Sequence, residues 1–302
     1  MTPVETVGPS VRPCAVCGSL YHHPHPDARL AHLRKCLACG LVSARELPGR
    51  DVIDGLYGAT YFQSDDSAVV GYDDYAADRA TIERTAHRRL RRIERHAGAR
   101  GALLDVGCAL GFFLAAARRR GWDVHGVDVS AHAAAYAREH LGLDVRAGTI
   151  EEAGFAPASF DAVTMWDVVE HLPDPVSTLR EARHLLRPGG ILALSTPDAG
   201  SWPARMTGAR WMGYKLAEEH LYYFDRQTLR LALDAAGLEV VHEATAGKDV
   251  TLGFFARRLE LYVPWMARPL QRALRAMRLD GRTVYVDPRD IMFILARPVS
   301  GR

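Results

Sequence analysis

The sequence predicts an α/β fold built on a parallel sheet, on three observations. Leu103 to Leu114 reads as a short apolar strand ending in Asp105, a turn bracketed by Gly107 and Gly111, and a helix start at Phe112. From Ala102 onward, apolar strand-like runs alternate with helix-like stretches, the pattern of β–α–β units. Asp128 closes the second run, 17 residues after Gly111, and a carboxylate at such a strand end can accept hydrogen bonds from two vicinal ribose hydroxyls. Glycine in the turn lets the backbone approach a ligand, because no Cβ intervenes.

The strands follow in order: Leu103 to Val106, Asp123 to Val127, Val145 to Ala147, Phe160 to Met165 and Ile191 to Ser195. Helices are expected to Arg120, over Ala131 to Leu141, and over Ser177 to Leu186, where Arg187-Pro188-Gly189-Gly190 breaks the pattern. A helix over Arg226 to Ala236 stops at Gly237 and feeds a sixth strand, Glu239 to Glu243. Ile291 to Ala296 is a last apolar strand, expected antiparallel inside the sheet.

With 302 residues the chain can bury a substantial core in one or two domains, and its 25% charged residues and net charge of +2 are ordinary for a soluble protein. No apolar run approaches the roughly 20 residues that span a bilayer, and the N-terminus lacks a charged-then-apolar leader pattern. A cytoplasmic chain with reduced thiols is therefore expected. Four of the five cysteines form two pairs, Cys14-Ala-Val-Cys17 and Cys36-Leu-Ala-Cys39, each followed by a glycine. Four thiolates at this spacing suit a structural, tetrahedral Zn²⁺ with a closed shell. His22, His23, His25 and His32 lie between the pairs as alternative ligands, but the cysteines already complete the shell.

Residues 51 to 100 change character: Tyr57, Tyr61, Phe62, Tyr72 and Tyr75 alternate with acids, and Ala76 to His96 reads as a basic helix with Ile82, Leu90 and Ile93 apolar. The tyrosines serve either as packing beside the zinc module or as a lid, with Tyr72 or Tyr75 offering a hydroxyl to substrate. Residues 248 to 280 form an amphipathic insert, and within it residues 254 to 278 set Arg257, Arg258, Arg268, Arg272, Arg275 and Arg278 against one acid, Glu260. Such a stretch reads first as a lid helix pair or a homodimer contact, and otherwise as a peripheral contact with an anionic membrane.

Strand four runs into Trp166-Asp167-Val168-Val169-Glu170-His171-Leu172. The turn at Gly107 is Gly-Cys-Ala-Leu-Gly, not the Gly-x-Gly-x-x-Gly of dinucleotide binding. With Gly126-Val127-Asp128-Val129-Ser130, Phe160-Asp161-Ala162-Val163 and Leu186-Arg-Pro-Gly-Gly190, these motifs resemble, in order and spacing, the class I S-adenosylmethionine-dependent methyltransferases over about residues 70 to 240. The resemblance implies a Rossmann-like seven-stranded sheet with its last strand reversed, and S-adenosylmethionine as donor. It places Asp105, Gly107 and Gly111, with Cys108 in the same turn, against the methionine part of the donor. Asp128, followed by Val129, would hold the ribose; Thr149 and Ile150 would border adenine; Met165 and Trp166 would wall the sulfonium. Ala109 stands where the family usually has glycine, so a slightly displaced loop is expected.

Glu218-Glu219-His220-Leu221-Tyr222-Tyr223-Phe224 is similar to a stretch of small-molecule methyltransferases acting on natural-product and sugar intermediates, some of which carry a four-cysteine zinc module. An acceptor proton usually needs a base, and histidine titrates near working pH, so His220 is the expected base, oriented or replaced by Glu219. Asp167, Glu170 and His171 share one helical turn and could bind a divalent metal; capping the loop is their alternative role. The division expected is a zinc module at 1–50, an aromatic and helical lid at 51–98, and the donor-binding domain at 99–302. The expected function is methyl transfer to a small-molecule oxygen or carbon by a monomer or homodimer. RNA methylation through the zinc module and a non-catalytic donor-binding scaffold are the alternatives. The first 50 residues hold six basic side chains against three acidic ones, thin for a phosphate-tracking surface.

Overall fold

A computed structural model describes residues 12–49, 75–98, 100–215, 219–260 and 263–299. Its centre is a sheet of seven strands, β4 (Ala102–Val106), β5 (Asp123–Asp128), β6 (Asp144–Ala147), β7 (Phe160–Trp166), β8 (Leu186–Pro197), β10 (Leu238–Thr245) and β13 (Ile291–Pro298). They lie in the order β10-β13-β8-β7-β4-β5-β6. β13 runs antiparallel between β10 and β8, while β8, β7, β4, β5 and β6 are mutually parallel. This is the α/β methyltransferase sheet with its reversed last strand.

Both faces are covered, which is why the strands are almost continuously apolar rather than alternating. On one face Leu104, Val163, Met165 and Leu192 pack with α4 (Pro175–Leu185) and α7 (Arg226–Ala235) through Leu179 and Leu233. On the other, Leu103, Ala162, Ala193 and Phe293 pack with Leu114 of α2 (Phe112–Arg119) and with Leu90 and Ile93 of α1 (Arg79–Glu94). α1 is thus a structural layer of the sheet and not a detached lid, although its first turns wall the cleft described below. α3 (Ala131–Leu141) matches its sequence expectation, with Ser130 capping its N-terminus through Ala133 N. α4 stops at Leu185, before the Arg-Pro-Gly-Gly stretch, and β8 begins earlier than Ile191: the stretch lies inside it, with a register shift against β7 and Gly189 at φ +81°.

The N-terminal segment forms three short strands, β1 (His22–Pro24), β2 (Leu33–Cys36) and β3 (Val42–Ala44). Their sheet is completed by β9 (Tyr222–Tyr223), with Val42 opposite Tyr223 and Ser43 opposite Tyr222. Cys14, Cys36 and Leu41 join the same core cluster as Leu221, Tyr222 and Phe224. The insert is a strand–helix–helix–strand unit: β11 (Lys248–Thr251), α8 (Leu252–Leu259), α9 (Pro264–Ala276) and β12 (Thr283–Val286), with β11 and β12 antiparallel. Among the described residues no helix is long and apolar enough to cross a membrane.

Candidate active site

The glycine turn leaves β4 and is tied to β5 by Gly107 N and Cys108 N, which donate to Val127 O at 2.8 and 3.2 Å. Gly107, Ala109 and Gly111 all have positive φ, +68°, +49° and +84°. Position 109 therefore takes the left-handed backbone that glycine adopts freely and alanine only at a cost. The loop nevertheless closes: Ala109 N donates to Asp128 Oδ2 at 2.7 Å, and Ser130 N to Oδ1 at 2.8 Å. A Cβ on Gly107 would stand 2.6 Å from Val168 Cγ2, so this turn packs tightly on the loop after β7.

Asp105 and Asp128 are both buried at this strand end. Burial pushes the Asp105 carboxyl up to about 7, against the Thr164 hydroxyl that donates to it at 2.5 Å; burial likewise raises Asp128, against the two amides. Cys108 points down into the core beneath the turn, where its thiol would touch any Cβ placed on Gly126, at 2.8 Å. Only its backbone belongs to the ligand side. Gly148 N donates to Asp128 O at 2.8 Å, which brings Thr149 and the buried Ile150 beside the same strand end, with Val129 exposed.

Met165 does not line the cleft beside Trp166. Successive side chains in a strand point to opposite faces, and Met165 is fully buried in the layer with Leu104 and Val163. Trp166, the next residue, turns to the other side and lines a cleft of about 280 Å³ between α1, the end of β7 and the insert. Tyr75, Phe113, Trp166 and Phe254 supply its aromatic walls, and Arg89, Asp167, Glu219 and Lys248 its polar ones. Tyr75 also stacks on Phe112 at 5.7 Å; Tyr72 lies outside the described residues.

Arg89, Lys248 and Ser195 were not legible as site residues. Lys248 Nζ pairs with Asp167 at 2.7 Å, and Ser195 Oγ donates to Asp167 Oδ1 at 2.8 Å. Arg89 lies over the Trp166 ring at 4.4 Å and donates to Ser195 Oγ at 3.3 Å. Burial opposes the Asp167 charge, but Lys248 and Arg89 hold its carboxyl well below the usual range. Its backbone is at φ +57°, the kind of strain that gathers at functional sites. Only Lys248's rarity, one of three lysines, could have flagged it; Arg89 is hidden in an arginine-rich helix.

His220 does not line the cleft; Glu219 does. The imidazole of His220 is buried, its Nδ1 3.1 Å from Gly213 O and its ring 4.8 Å from that of His171. Burial, and then the neighbouring His171, lowers its pKa to about 3. An imidazole that weakly basic and that enclosed is unsuited to take an acceptor proton at neutral pH, which corrects the expectation of His220 as base. His171 Nδ1 is likewise 2.9 Å from Glu219 O. Glu170 Oε2 accepts from Thr196 Oγ1 at 2.8 Å, while its buried Oε1 has no hydrogen-bond donor and lies 4.0 Å from His171 Nε2. Ligand atoms of Glu170, His171 and His220 lie within 4.8 Å of one another, a donor set that could hold a divalent cation. Asp167, which the helical spacing had grouped with Glu170 and His171, is instead turned to Lys248 and Ser195.

The four N-terminal cysteines converge. Their Sγ atoms lie within 4.8 Å of one another, with Cys14 and Cys39 at 3.6 Å and Cys17 and Cys36 at 3.5 Å. A tetrahedron with bonds of about 2.3 Å has edges of about 3.8 Å, so the set fits Zn²⁺. Each pair builds the same knuckle. Gly18 N donates to Cys14 O and Gly40 N to Cys36 O, and both glycines have positive φ.

A family described as a methyltransferase domain matches residues 75–243. The chain belongs to that family. Among curated relatives, the ubiquinone biosynthesis O-methyltransferase of Xanthomonas campestris pv. campestris is 35% identical over 131 residues, covering 41% of this chain and 55% of its own. That of Pseudomonas paraeruginosa is 40% identical over 111 residues, covering 34% and 48%. The chain thus spans about half the length of the curated relatives it matches. Among solved structures, phosphoethanolamine N-methyltransferase 2 of Haemonchus contortus shares the methyltransferase fold at a TM-score of 0.51 and 16% identity, over 86% of this chain and 62% of that one. A Bacillus halodurans C-125 protein assigned to the methyltransferases shares it at 0.51 and 19%, over 70% and 99%.

Proposed function

We propose that this protein transfers a methyl group from S-adenosylmethionine to a small-molecule acceptor held in the cleft beside Trp166. The observation that carries the reading is the turn at Gly107–Gly111 closed on the buried Asp128, which leads directly into the helix whose Phe113 lines that cleft. Its donor set suits the cofactor's chemistry. Two buried carboxylates, Asp105 and Asp128, face a ligand that carries a sulfonium, an ammonium and a ribose diol. Arg89 Nε and Trp166 Nε1 are buried donors without a partner, and the arginine suits the ligand's carboxylate.

Bound there, the cofactor supplies an electrophilic sulfonium methyl. The chain's residues do the rest. Tyr75, Phe113, Trp166 and Phe254 exclude water and align the acceptor. Glu219, on the cleft wall, receives the acceptor proton. His220 and His171 brace it from behind, through His171's contact with Glu219 O. The zinc ribbon is structural: β3 pairs with β9 and so fixes the segment that carries Glu219. The curated relatives' O-methylation and the Glu-His-x-x-Tyr-Phe stretch support a small, oxygen-bearing acceptor, such as a phenol or a sugar-linked hydroxyl.

The test combines donor binding with a screen of phenolic and sugar-linked acceptors using labelled methyl donor. Calorimetry should show S-adenosylhomocysteine binding that Asp128→Ala weakens at least tenfold. On an acceptor that turns over, Glu219→Gln should lower kcat at least a hundredfold and His220→Asn should cost far less. Absence of binding to the wild-type protein refutes the donor site, and full turnover by Glu219→Gln refutes the base.

A further inference from the structure

α9 turns two residues inward, Ala267 and Leu274, and packs on α8, where Gln271 Nε2 donates to Ala256 O at 3.3 Å. At about 100° per residue, Trp265 and Arg272 lie on the opposite side of the helix, with Arg268 and Arg275 along one flank. Trp265 is 77% exposed, the most exposed large hydrophobic side chain among the described residues; Met266 next to it is 43% exposed and Met277, at the far end of the helix, 58%. Arg268, Arg272, Arg275, Arg278 and Arg282 are all exposed, against the single exposed acid Asp280 in the same stretch. Arg268 pairs with Glu260 at 2.9 Å; Arg272, Arg275 and Arg278 have no acid at ion-pair distance among the described residues. An exposed tryptophan that shares its helix with exposed arginines lacking an acid partner marks an interaction surface.

We infer that this face of α9 docks on an anionic membrane surface. Charge complementarity selects the occupant. The arginines match anionic headgroups, while the indole and the two methionines suit the headgroup–acyl boundary, where amphipathic side chains settle. A second copy of the chain would set arginine against arginine. A nucleic acid would leave Trp265 and Met266, at the N-terminal end of the face, without a partner, since a phosphate track needs cations. With no spanning helix among the described residues, the contact is peripheral. α8 also lends Phe254 and Arg258 to the cleft, so the docked face lies one helix away from the acceptor. A lipid-borne acceptor would then be within reach, a consequence that rests on the cleft's proposed role; the docking itself does not.

The test is co-sedimentation of the full chain with vesicles of phosphatidylcholine alone and of equal parts phosphatidylcholine and phosphatidylglycerol, without donor or acceptor. Binding is expected to the mixed vesicles only and to weaken as salt rises. Each arginine near the surface is worth roughly fivefold in affinity, so R268Q/R272Q/R275Q should lose about a hundredfold, and Trp265→Ala several-fold. Both variants should keep wild-type S-adenosylhomocysteine binding, which certifies the fold independently. Equal binding to both vesicle types, no binding at all, or an unmoved triple variant overturns the inference. So does a lipid-free dimer that the triple variant dissolves, or an RNA oligonucleotide that displaces the vesicles. Failure to bind S-adenosylhomocysteine in the wild type would instead count against the donor site and leave this face untouched.

Discussion

Replacing one of the four cysteines proposed to hold Zn²⁺ should loosen the proposed acceptor side of the protein while sparing the proposed donor side. Cys36 is buried and stands in β2, next to the strand that pairs with β9. In Cys36→Ser the shell is incomplete, and a ribbon this small cannot hold itself on apolar burial alone. Zinc supplies about 10–16 kcal/mol to isolated fingers. The consequence reaches β9. Tyr222 and Tyr223 are 2% and 4% exposed, and two buried tyrosines remove roughly 300–500 Å² from water, a gross gain of about 7–12 kcal/mol. The ribbon covers one side of that pair. Losing about a third of the gain, on the order of 3 kcal/mol, would raise the opening of residues 219–224 over a hundredfold. The backbone bond from Ala44 N to Leu221 O would go as well. Hydrogen–deuterium exchange reads this directly: peptides covering 219–224 should lose protection, and peptides covering 104–112 should keep it. Elemental analysis should show the zinc gone, and calorimetry should show S-adenosylhomocysteine affinity within about threefold of wild type. Unchanged protection at 219–224 after zinc loss would refute the coupling. Equal loss of protection at 104–112 would refute the separation of the two sides.

Other outcomes follow from single residues. Gly107→Ala adds a Cβ 2.6 Å from Val168 at φ +68°. It should cost about 2–4 kcal/mol of stability by denaturant titration, from backbone strain and overpacking together. Ala109→Gly relieves the strain at φ +49° but makes the unfolded chain more flexible; a net change within about 1 kcal/mol and donor affinity at least as high as wild type are expected. Asp105 has a raised folded-state pKa, about 7, so its neutral form favours the fold. That stability is complete below about 4, the usual aspartate value, and is lost as pH climbs through about 7. Asp105→Asn keeps the acceptor for Thr164 and should flatten the pH profile of Tm, overtaking wild type above pH 7. Mn²⁺ titrated into the chelated protein should bind near Glu170, His171 and His220 by electron paramagnetic resonance; His220→Asn should weaken this at least tenfold, and Asp167→Asn should not.

The sequence by itself determined the strands and the glycine turn, because these rest on local signals: apolar runs covered on both faces and glycine where φ is positive; the reversed last strand came with the family resemblance, and the strand order is a matter of tertiary pairing. It also determined the cysteine cluster, since two identical knuckles of two-residue spacing leave little freedom. Tertiary structure alone decided which side of each element meets the cleft. Met165 and Trp166 are neighbours in sequence, yet strand alternation sends one into the core and the other to the wall. Glu219 and His220 are likewise adjacent, and packing against His171 and Gly213 buries the histidine that chemistry alone had favoured as base. Arg89 and Lys248 lie 159 positions apart in the numbering and meet only because α1 and β11 cover the same end of β7. The ribbon's fourth strand, β9, comes from the far half of the chain for the same reason. Strand pairing and burial join residues by surface and not by order along the chain, and a site assembled that way leaves no local pattern to read.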